Sequence, residues 1–349
     1  MRCGNLRFVH DELIRQAPGT ETVLLLHRTR NTLAGKLATL VSAIRAEYYL
    51  ATSRVFVVDD YYFPIYVASP KPGTTIIQTW HAAGAFKKVG YSVADKSFGA
   101  SPALLRQVRI HANYTHCLVA SRGAIPAYAE AFGQPEERFV VTGIPRTDIF
   151  FDPERRASAP ARVRERYGIP EGRTVLLYAP TFRGDTVHEA RYDDPLDLEM
   201  MAERCGDSCV LLMRLHPFVA SAVTIPGNLR RFAIDASRHP DINELLLASD
   251  VLVTDYSSVI FEYALLERPM LFFAPDYESY ERERGFYFDY RTGVPGPVFE
   301  TTADLAGHIA AGEYDLKRVR EFRERSFDVA DGRASERVVR EVVLPGLGG

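Results

Sequence analysis

Short apolar runs alternate with longer segments of helical hydrophobic spacing along the whole chain. Runs of this length are typical of buried strands, and strands are predicted at residues 23–26, 55–58, 76–80, 117–120, 139–142, 175–178, 210–217, 228–234, 251–253 and 270–273. The helical spacing predicts helices at residues 2–18, 31–49, 102–113, 125–132, 242–247, 259–266, 304–311, 316–327 and 331–339. Alternation of this kind indicates parallel sheets with helices on both faces, which is an α/β fold.

The clearest unit lies at residues 249–273, where a strand, a turn, a helix and a strand follow one another. Its turn contains Thr254, Ser257 and Ser258, and an apolar helical pattern begins directly after them. The free N–H groups at such a helix start favour phosphate, and the hydroxyls add donors. Glu262, one turn along the helix, is a candidate partner for a ribose hydroxyl. Helix capping explains both serines equally well, because serine is a preferred cap.

Proline, glycine and arginine are concentrated at residues 152–173, between two series of predicted strands and helices. We interpret this segment as a linker. It divides the chain into an N-terminal domain at residues 1–152 and a C-terminal domain at residues 174–325, followed by helices at residues 326–349. Two doubly wound domains with facing carboxyl edges would form one cleft.

Charge and composition exclude several classes of protein. The net charge is −3 and the pI is about 6.3, which argues against a general nucleic-acid binder. The four cysteines include no CxxC pair, so they predict neither a disulfide framework nor a zinc site. No apolar run approaches the roughly 20 residues of a membrane span, and residues 1–16 lack the apolar core of a signal peptide. We therefore predict a cytoplasmic protein, with a peripheral membrane role left open.

Polar side chains with ligand chemistry follow several predicted strands. His81 ends one strand and precedes small residues and two lysines, and histidine is the side chain best suited to proton transfer near neutral pH. A buried histidine bonded to its own loop is the alternative. Further candidates are Arg146, with Asp148 as an alternative structural partner, and the residues Thr181, Arg183, Arg214 and His216. These cations and hydroxyls predict an anionic substrate, most simply a nucleotide diphosphate, with no cofactor and no metal site.

Six stretches, in order from about Tyr48 to Val338, resemble the CDP-glycerol glycerophosphotransferase family: QTWHAAGAFKKVG, TGIPRTDIFF, LYAPTFRGD, MRLHP, DINELLLASDVLVTDYSSVIFEYALLERP with GFYFDY, and DGRASERV. The family comprises teichoic acid primases and polymerases that use glycerol phosphate or ribitol phosphate. The long fifth stretch is highly specific, whereas TDYSS or WH alone is weak.

The resemblance implies a GT-B fold, with two Rossmann-like domains facing across a cleft. It implies transfer of polyol phosphate, glycerol phosphate first, from a CDP-polyol donor to a hydroxyl of a lipid-linked primer or growing polymer, with release of CMP. The acceptor implies peripheral contact with the inner face of the cell membrane. Residue by residue, the resemblance assigns a general base to His81 and stabilisation of the diphosphate or leaving phosphate to His216. It assigns contacts with the substrate to six residues: Arg146, Thr181, Arg183, Ser257, Ser258 and Glu262.

Three departures from the family pattern stand beside these assignments. Residues 82–86 read AAGAF where a Gly-Thr-Pro-Leu type sequence is common, which leaves ribitol-type and capsule-type members open. Phe182 stands where tryptophan is common, and the first strand of the N-terminal domain is expected to be shortened or absent. The alternatives are a CDP-ribitol transferase, a GT-B enzyme acting on a nucleotide sugar, and a binding module that has lost turnover, which the presence of both His81 and His216 argues against.

Overall fold

The computed structural model describes residues 4–26, 32–94, 96, 102–184, 189–192, 195–217, 219 and 223–348. The helices are α1 (Asn5–Gln16), α2 (Leu33–Thr52), α3 (Phe63–Val67), α4 (Pro102–Gln107), α5 (Ile125–Phe132), α6 (Pro153–Tyr167), α7 (Leu198–Cys205), α8 (Ile242–Ala248), α9 (Val259–Ala264), α10 (Tyr277–Arg284), α11 (Tyr290–Gly293), α12 (Thr302–Ala311), α13 (Lys317–Ser326), α14 (Ala334–Val338) and α15 (Leu344–Gly346).

Two parallel sheets organise these helices. The strands are β1 (Val55–Val58), β2 (Thr75–Gln78), β3 (His116–Val119), β4 (Phe139–Val141), β5 (Thr174–Ala179), β6 (Cys209–Met213), β7 (Ala233–Asp235), β8 (Val251–Thr254), β9 (Met270–Phe273) and β10 (Val298–Phe299). The first sheet has the order β1-β2-β3-β4 and the second the order β10-β9-β8-β5-β6-β7. Every pairing between these strands is parallel, as the alternating pattern predicts. We call the parts carrying the four-stranded and six-stranded sheets the N-terminal and C-terminal halves.

The prediction of a buried strand at residues 23–26 is wrong. This segment forms no strand and pairs with none in the described part of the chain, and Val23, Leu24 and Leu26 are exposed. β1 is the edge of its sheet, and a cavity of about 530 Å³ lies beside it, lined by this segment, α1 and α2. The apolar run thus covers a cavity and does not extend the sheet, and the described residues contain no strand before β1.

Helix α4 is shorter than the helix predicted at residues 102–113. His111 and Asn113 have φ angles of 58° and 69°, in the left-handed region that a right-handed helix cannot contain. Asn113 is held there by hydrogen bonds from its side chain to the carbonyls of Ile65 and Ala68, at 2.7 and 3.1 Å. Tertiary contacts therefore end the helical pattern at Gln107. The first residues of the helices predicted at 2–18 and 31–49 lie outside the described residues.

The segment interpreted as a linker is largely helix α6. Asp152 caps its first turn, Pro153 occupies the first helical position, and Gly168 ends it with a φ of 63°. Ala159 and Val163 are fully buried in the core that α6 shares with α8. Proline at a helix start and glycine just past its end are ordinary helix boundaries. The proline and glycine of this segment therefore belong to a helix between the two sheets.

The C-terminal helices return to the first sheet. Asp148, which follows β4, accepts hydrogen bonds from the backbone N–H groups of Ala334 and Ser335 at 2.9 and 2.8 Å. It therefore caps α14 and does not pair with Arg146. Val338 and Val342 then pack against α1, β2 and β3 in a separate core. The chain end thus completes the N-terminal half.

Candidate active site

His81 lies just beyond β2 and pairs with a carboxylate at the end of the neighbouring strand. Its Nδ1 is 3.4 Å from Oδ1 of Asp60, and half of its side chain is exposed. Burial alone raises the pKa of Asp60, but the hydrogen bond and charge of His81 outweigh burial, and the pKa is lowered. An ionised Asp60 fixes the proton on Nδ1 and leaves Nε2 available as a base. The sequence pattern did not identify Asp60 as a site residue, although it lies two residues after the end of β1.

Trp80 fixes the position of His81. Its backbone has a φ of 55°, and its side chain is buried. The side-chain amide of Asn5, on α1, donates to the Trp80 carbonyl at 2.6 Å, while its oxygen accepts from the backbone N–H of Arg146 at 3.0 Å. One buried asparagine therefore ties the strand end that carries His81 to the loop that carries Arg146.

Arg146 and Glu262 form an ion pair between the two halves of the chain. Nη2 of Arg146 donates to Oε1 of Glu262, whose side chain is 2% exposed. Among the described residues, Oε2 of Glu262 and Nε of Arg146 are buried without a hydrogen-bond partner. The two residues predicted to contact phosphate and nucleotide are therefore engaged with each other in this structure.

Thr181 and Arg183 bind carboxylates of the C-terminal half. The N–H and hydroxyl of Thr181 both donate to Oδ1 of Asp255 at 2.8 Å. The guanidinium of Arg183 contacts Oδ2 of Asp255 at 2.9 Å and Asp276 at 2.7 and 3.1 Å. It lies over the rings of Tyr256 and Tyr280 as well. These contacts join the segments that follow β5, β8 and β9. Thr181 and Arg183 therefore stabilise the edge of the sheet at which these strands end.

The hydroxyl residues of the turn before α9 lie in two different environments. Thr254 is fully buried and donates to the carbonyl of Ala179 at 2.7 Å, which ties β8 to β5. Ser257 Oγ accepts weakly from Val259 N at 3.4 Å, and Ser258 is the N-cap without a side-chain cap bond. Both serines are partly exposed. Thr254 therefore ties β8 to β5, whereas the two serines lie partly exposed at the start of α9.

Arg214 and His216 follow β6, which ends at Met213. Arg214 donates to the carbonyls of Leu215 and Ser237 at 2.8 and 2.5 Å, which fixes the loop. His216 lies 4.8 Å from Phe182 between ring centroids. Burial, followed by the charges of Lys87 and Arg214, lowers the pKa of His216 to about 4. The imidazole is therefore neutral at pH 7 and adds no positive charge to the site.

The small residues after His81 allow close packing between the two halves. A Cβ built on Gly84 would lie 2.2 Å from the ring of Phe261, on α9. The neighbour of Gly84 is therefore a side chain of the C-terminal half. Within the described ranges, no group of three His, Cys, Asp or Glu side chains is arranged to hold a metal ion. The described helices include none long and apolar enough to cross a membrane.

The two-sheet architecture matches solved enzymes of known fold. A wall teichoic acid polymerase TagF variant soaked with CDPG superposes with a TM-score of 0.79 at 25% identity, over 99% of this chain and 87% of that chain. The glycosyltransferase WaaG superposes with a TM-score of 0.51 at 14% identity, over 97% and 95% of the chains. The fold is therefore the GT-B-like arrangement of two Rossmann-like units, as expected.

The family model of CDP-Glycerol:Poly(glycerophosphate) glycerophosphotransferase matches residues 3–344. The chain belongs to this family. A teichoic acid ribitol-phosphate primase of Bacillus spizizenii is 39% identical over 336 residues, which is 96% of this chain and 86% of the relative. A poly(ribitol-phosphate) polymerase of the same organism is 38% identical over 98% of this chain, which spans about half (54%) of the relative. A Bacillus subtilis poly(glycerol phosphate) polymerase is 32% identical over 87% of this chain and 40% of the relative.

Proposed function

We propose that this protein transfers polyol phosphate from a CDP-polyol to a hydroxyl of a lipid-linked primer or growing phosphopolymer, in teichoic acid or related surface-polymer synthesis. The observation that carries the proposal is the pair His81 and Asp60 at adjacent strand ends, in a chain of this family. An exposed imidazole oriented by an ionised carboxylate is suited to take a proton from an alcohol.

The reaction follows from the groups at these strand ends. His81 removes the proton from the acceptor hydroxyl while its oxygen attacks the phosphorus that carries the polyol. The bond from that phosphorus to the bridging oxygen breaks, and CMP leaves with the electron pair. Asp60 stabilises the imidazolium that forms. Neutral His216 donates a hydrogen bond to the leaving phosphate, and the serine turn supplies further donors, because phosphoryl transfer depends on positioning and neutralisation of charge.

Ribitol is the polyol that we propose for the donor. Four ribitol-phosphate relatives are 34–39% identical to this chain, compared with 26–32% for four glycerol-phosphate relatives. The motif pattern alone favoured glycerol first and kept ribitol as the alternative, because the AAGAF loop departs from the Gly-Thr-Pro-Leu type.

A donor panel tests this proposal. CMP release is measured with CDP-ribitol, CDP-glycerol and UDP-sugars, each with a polyol-phosphate-primed lipid acceptor. We expect release from CDP-ribitol to exceed release from CDP-glycerol at least tenfold, and to persist in EDTA because side chains provide the neutralising charge. A preference for CDP-glycerol would change the proposed polyol to glycerol and leave the proposed reaction unchanged. Turnover of a UDP-sugar without CMP release would replace the reaction class by glycosyl transfer.

We propose in addition that helix α2 binds the surface of a lipid bilayer. Its exposed apolar side chains recur at helical spacing on one face and are 49–87% exposed: Leu33, Leu37, Leu40, Val41, Ile44 and Tyr48. Within α2 the only charged residues are Lys36, Arg45 and Glu47. An apolar helix face that the described residues leave exposed can be buried at the interface of a bilayer, and the proposed acceptor is itself lipid-linked.

Substitution on this face tests the membrane proposal. In Leu37→Glu/Ile44→Glu, binding to anionic phospholipid vesicles should fall tenfold or more, because each buried apolar side chain contributes about 1.5–3 kcal/mol. Val329→Glu, which changes an exposed valine outside α2, is the matched control and should bind normally. Unchanged vesicle binding combined with loss of a dimer in sedimentation would assign the face to self-association and contradict the proposal.

A further inference from the structure

The loop that follows His81 contributes to the hydrophobic cores of both halves. Trp80, directly before His81, is buried in the core of the four-stranded sheet. Ala83 and Phe86 are 1% and 2% exposed, and they belong to the core that contains Phe261, on α9 of the C-terminal half. The chain therefore passes from one core to the other within the five residues that follow His81.

Gly84 brings the backbone of this loop against α9. A Cβ built on Gly84 would lie 2.2, 2.5 and 2.6 Å from three carbons of the Phe261 ring, whereas carbon atoms in contact are about 3.5–4.0 Å apart. The φ angle of Gly84 lies outside the left-handed region, so the backbone conformation would accept alanine and the ring is the obstacle. The missing side chain at Gly84 therefore sets how closely the loop approaches α9.

Phe86 packs against four aromatic rings of the C-terminal half. Its ring centroid lies 5.2 Å from that of Phe286, 5.3 Å from Phe288, 6.1 Å from Tyr290 and 6.4 Å from Phe261. Aromatic pairs at these separations stabilise a contact beyond the burial of their area. The side chain of Phe86 is therefore fixed on the C-terminal half, although its backbone follows a strand of the N-terminal half.

Hydrogen bonds hold the same loop on the C-terminal half. The N–H of Lys88 donates to the carbonyl of Gly285 at 3.1 Å, and the N–H of Tyr287 donates to the carbonyl of Phe86 at 3.0 Å. The hydroxyl of Tyr287 donates to Oγ of Ser92 at 2.8 Å. The two backbone bonds form a short antiparallel bridge between the halves, so the loop is fixed by its backbone as well as by its side chains.

The aromatic cluster contacts the turn before α9 as well. The hydroxyl of Tyr290 donates to the carbonyl of Asp255 at 3.0 Å, and the ring of Tyr290 lies 5.2 Å from that of Tyr256 between centroids. Asp255 and Tyr256 directly precede Ser257, in the turn that supplies donors to the leaving phosphate in the proposed reaction. The loop that carries His81 and this turn therefore rest on the same aromatic side chains.

We propose that Gly84 and Phe86 are positioning residues that set the distance between His81 and the diphosphate of the donor, an inference that rests on the proposed function. The acceptor hydroxyl must lie between the imidazole and the phosphorus that it attacks. Because the loop is packed on α9 and its aromatic neighbours, this separation is fixed close to the site. A displacement of about 1 Å in such a geometry lowers the rate on the order of 100-fold.

Gly84→Ala tests this proposal, with Gly307→Ala as the matched control. The new methyl group must displace the loop from Phe261, so we expect kcat for polyol-phosphate transfer to fall about 100-fold, with CDP affinity unchanged. Gly84→Ala/Phe261→Leu should recover most of the rate, because the smaller side chain makes room for the methyl group. A Cβ built on Gly307, on α12, would have no neighbour within 4 Å beyond the adjoining helix backbone, and Gly307→Ala should keep the wild-type rate.

A double-mutant cycle with His81→Gln separates positioning of the base from a general loss of structure. Gly84→Ala should slow the His81→Gln enzyme less than about twofold, because the group that Gly84 positions is already absent. A further loss of about 100-fold in this double variant, or wild-type kcat in Gly84→Ala, would overturn the inference. Phe86→Leu should lower kcat about 10-fold with the same dependence on His81, and it provides the test if Gly84→Ala does not fold.

Hydrogen exchange tests the contact without an assay of transfer. The amides of Lys88 and Tyr287 should be protected in the wild type, exchange faster in Gly84→Ala and regain protection in Gly84→Ala/Phe261→Leu. Rapid exchange of both amides in the wild type would refute the contact and the inference with it. Protected amides in a wild type that releases no CMP from any CDP-polyol would instead refute the proposed function and leave the contact between the loop and α9 established.

Discussion

His81→Gln should lower the rate of polyol-phosphate transfer by about 10²–10⁴-fold, the usual contribution of a general base. Glutamine can retain a hydrogen bond to Asp60 at the end of β1, but it cannot accept the acceptor's proton. The structure places the histidine half exposed at the end of β2, next to this ionised carboxylate. The loss should therefore appear in kcat, with CDP affinity little changed, because we expect the donor to bind at the C-terminal half.

His308→Gln, on α12, is the matched control for this substitution and should keep full activity. Asp60→Asn should give a smaller loss than His81→Gln, because it removes the orienting charge and leaves the base in place. The measurement is CMP release under saturating donor and primed acceptor. Transfer at the wild-type rate in His81→Gln would remove His81 from the mechanism.

Glu262→Ala should destabilise the folded protein by about 3–5 kcal/mol, as expected when one partner of a buried ion pair is removed. The guanidinium of Arg146 would then lie between the two halves without its carboxylate. Arg146→Ala should have a similar effect, since the Glu262 side chain is almost fully buried. The free energy of unfolding from urea titration measures both.

The double variant Arg146→Met/Glu262→Leu tests whether the ion pair itself is needed for stability. It should recover most of the free energy of unfolding, because an apolar pair of similar volume can replace a buried ion pair. Glu300→Gln, which breaks an exposed pair with Arg291, is the control and should cost less than about 1 kcal/mol. If Glu262→Ala instead weakened CDP binding without loss of stability, Glu262 would be the ribose ligand that the sequence suggested.

The strand ends explain how much of the site the sequence predicted. Short apolar runs and the turns after them located His81, Arg146, His216 and the serine turn, because the carboxyl ends of parallel strands share one edge. The same patterns predicted strands that overlap β1 to β9 and the two-sheet fold, but they missed β10 and the helices α6, α7 and α10. They failed at residues 23–26, where an apolar run borders a cavity, because composition alone does not distinguish a strand from a covering segment.

The ion-pair and hydrogen-bond partners of the site residues could not be predicted from the sequence. Arg183 was expected to bind substrate, but two carboxylates that follow β8 and β9 hold its guanidinium. Arg146 and Glu262 were expected to bind different parts of the donor and are paired across the two halves. Such pairings depend on how strands are ordered in a sheet and how the halves meet, which local patterns do not encode. The strand order β9-β8-β5 places Asp255 beside Thr181.

The most direct test of the account is mass spectrometry of a primed lipid acceptor incubated with CDP-ribitol and the purified protein. We predict that the acceptor gains whole polyol-phosphate units, one for each CMP released, and that His81→Gln gives neither product. CMP release without growth of the acceptor would indicate hydrolysis of the donor. Growth by sugar units from a nucleotide sugar would contradict the account.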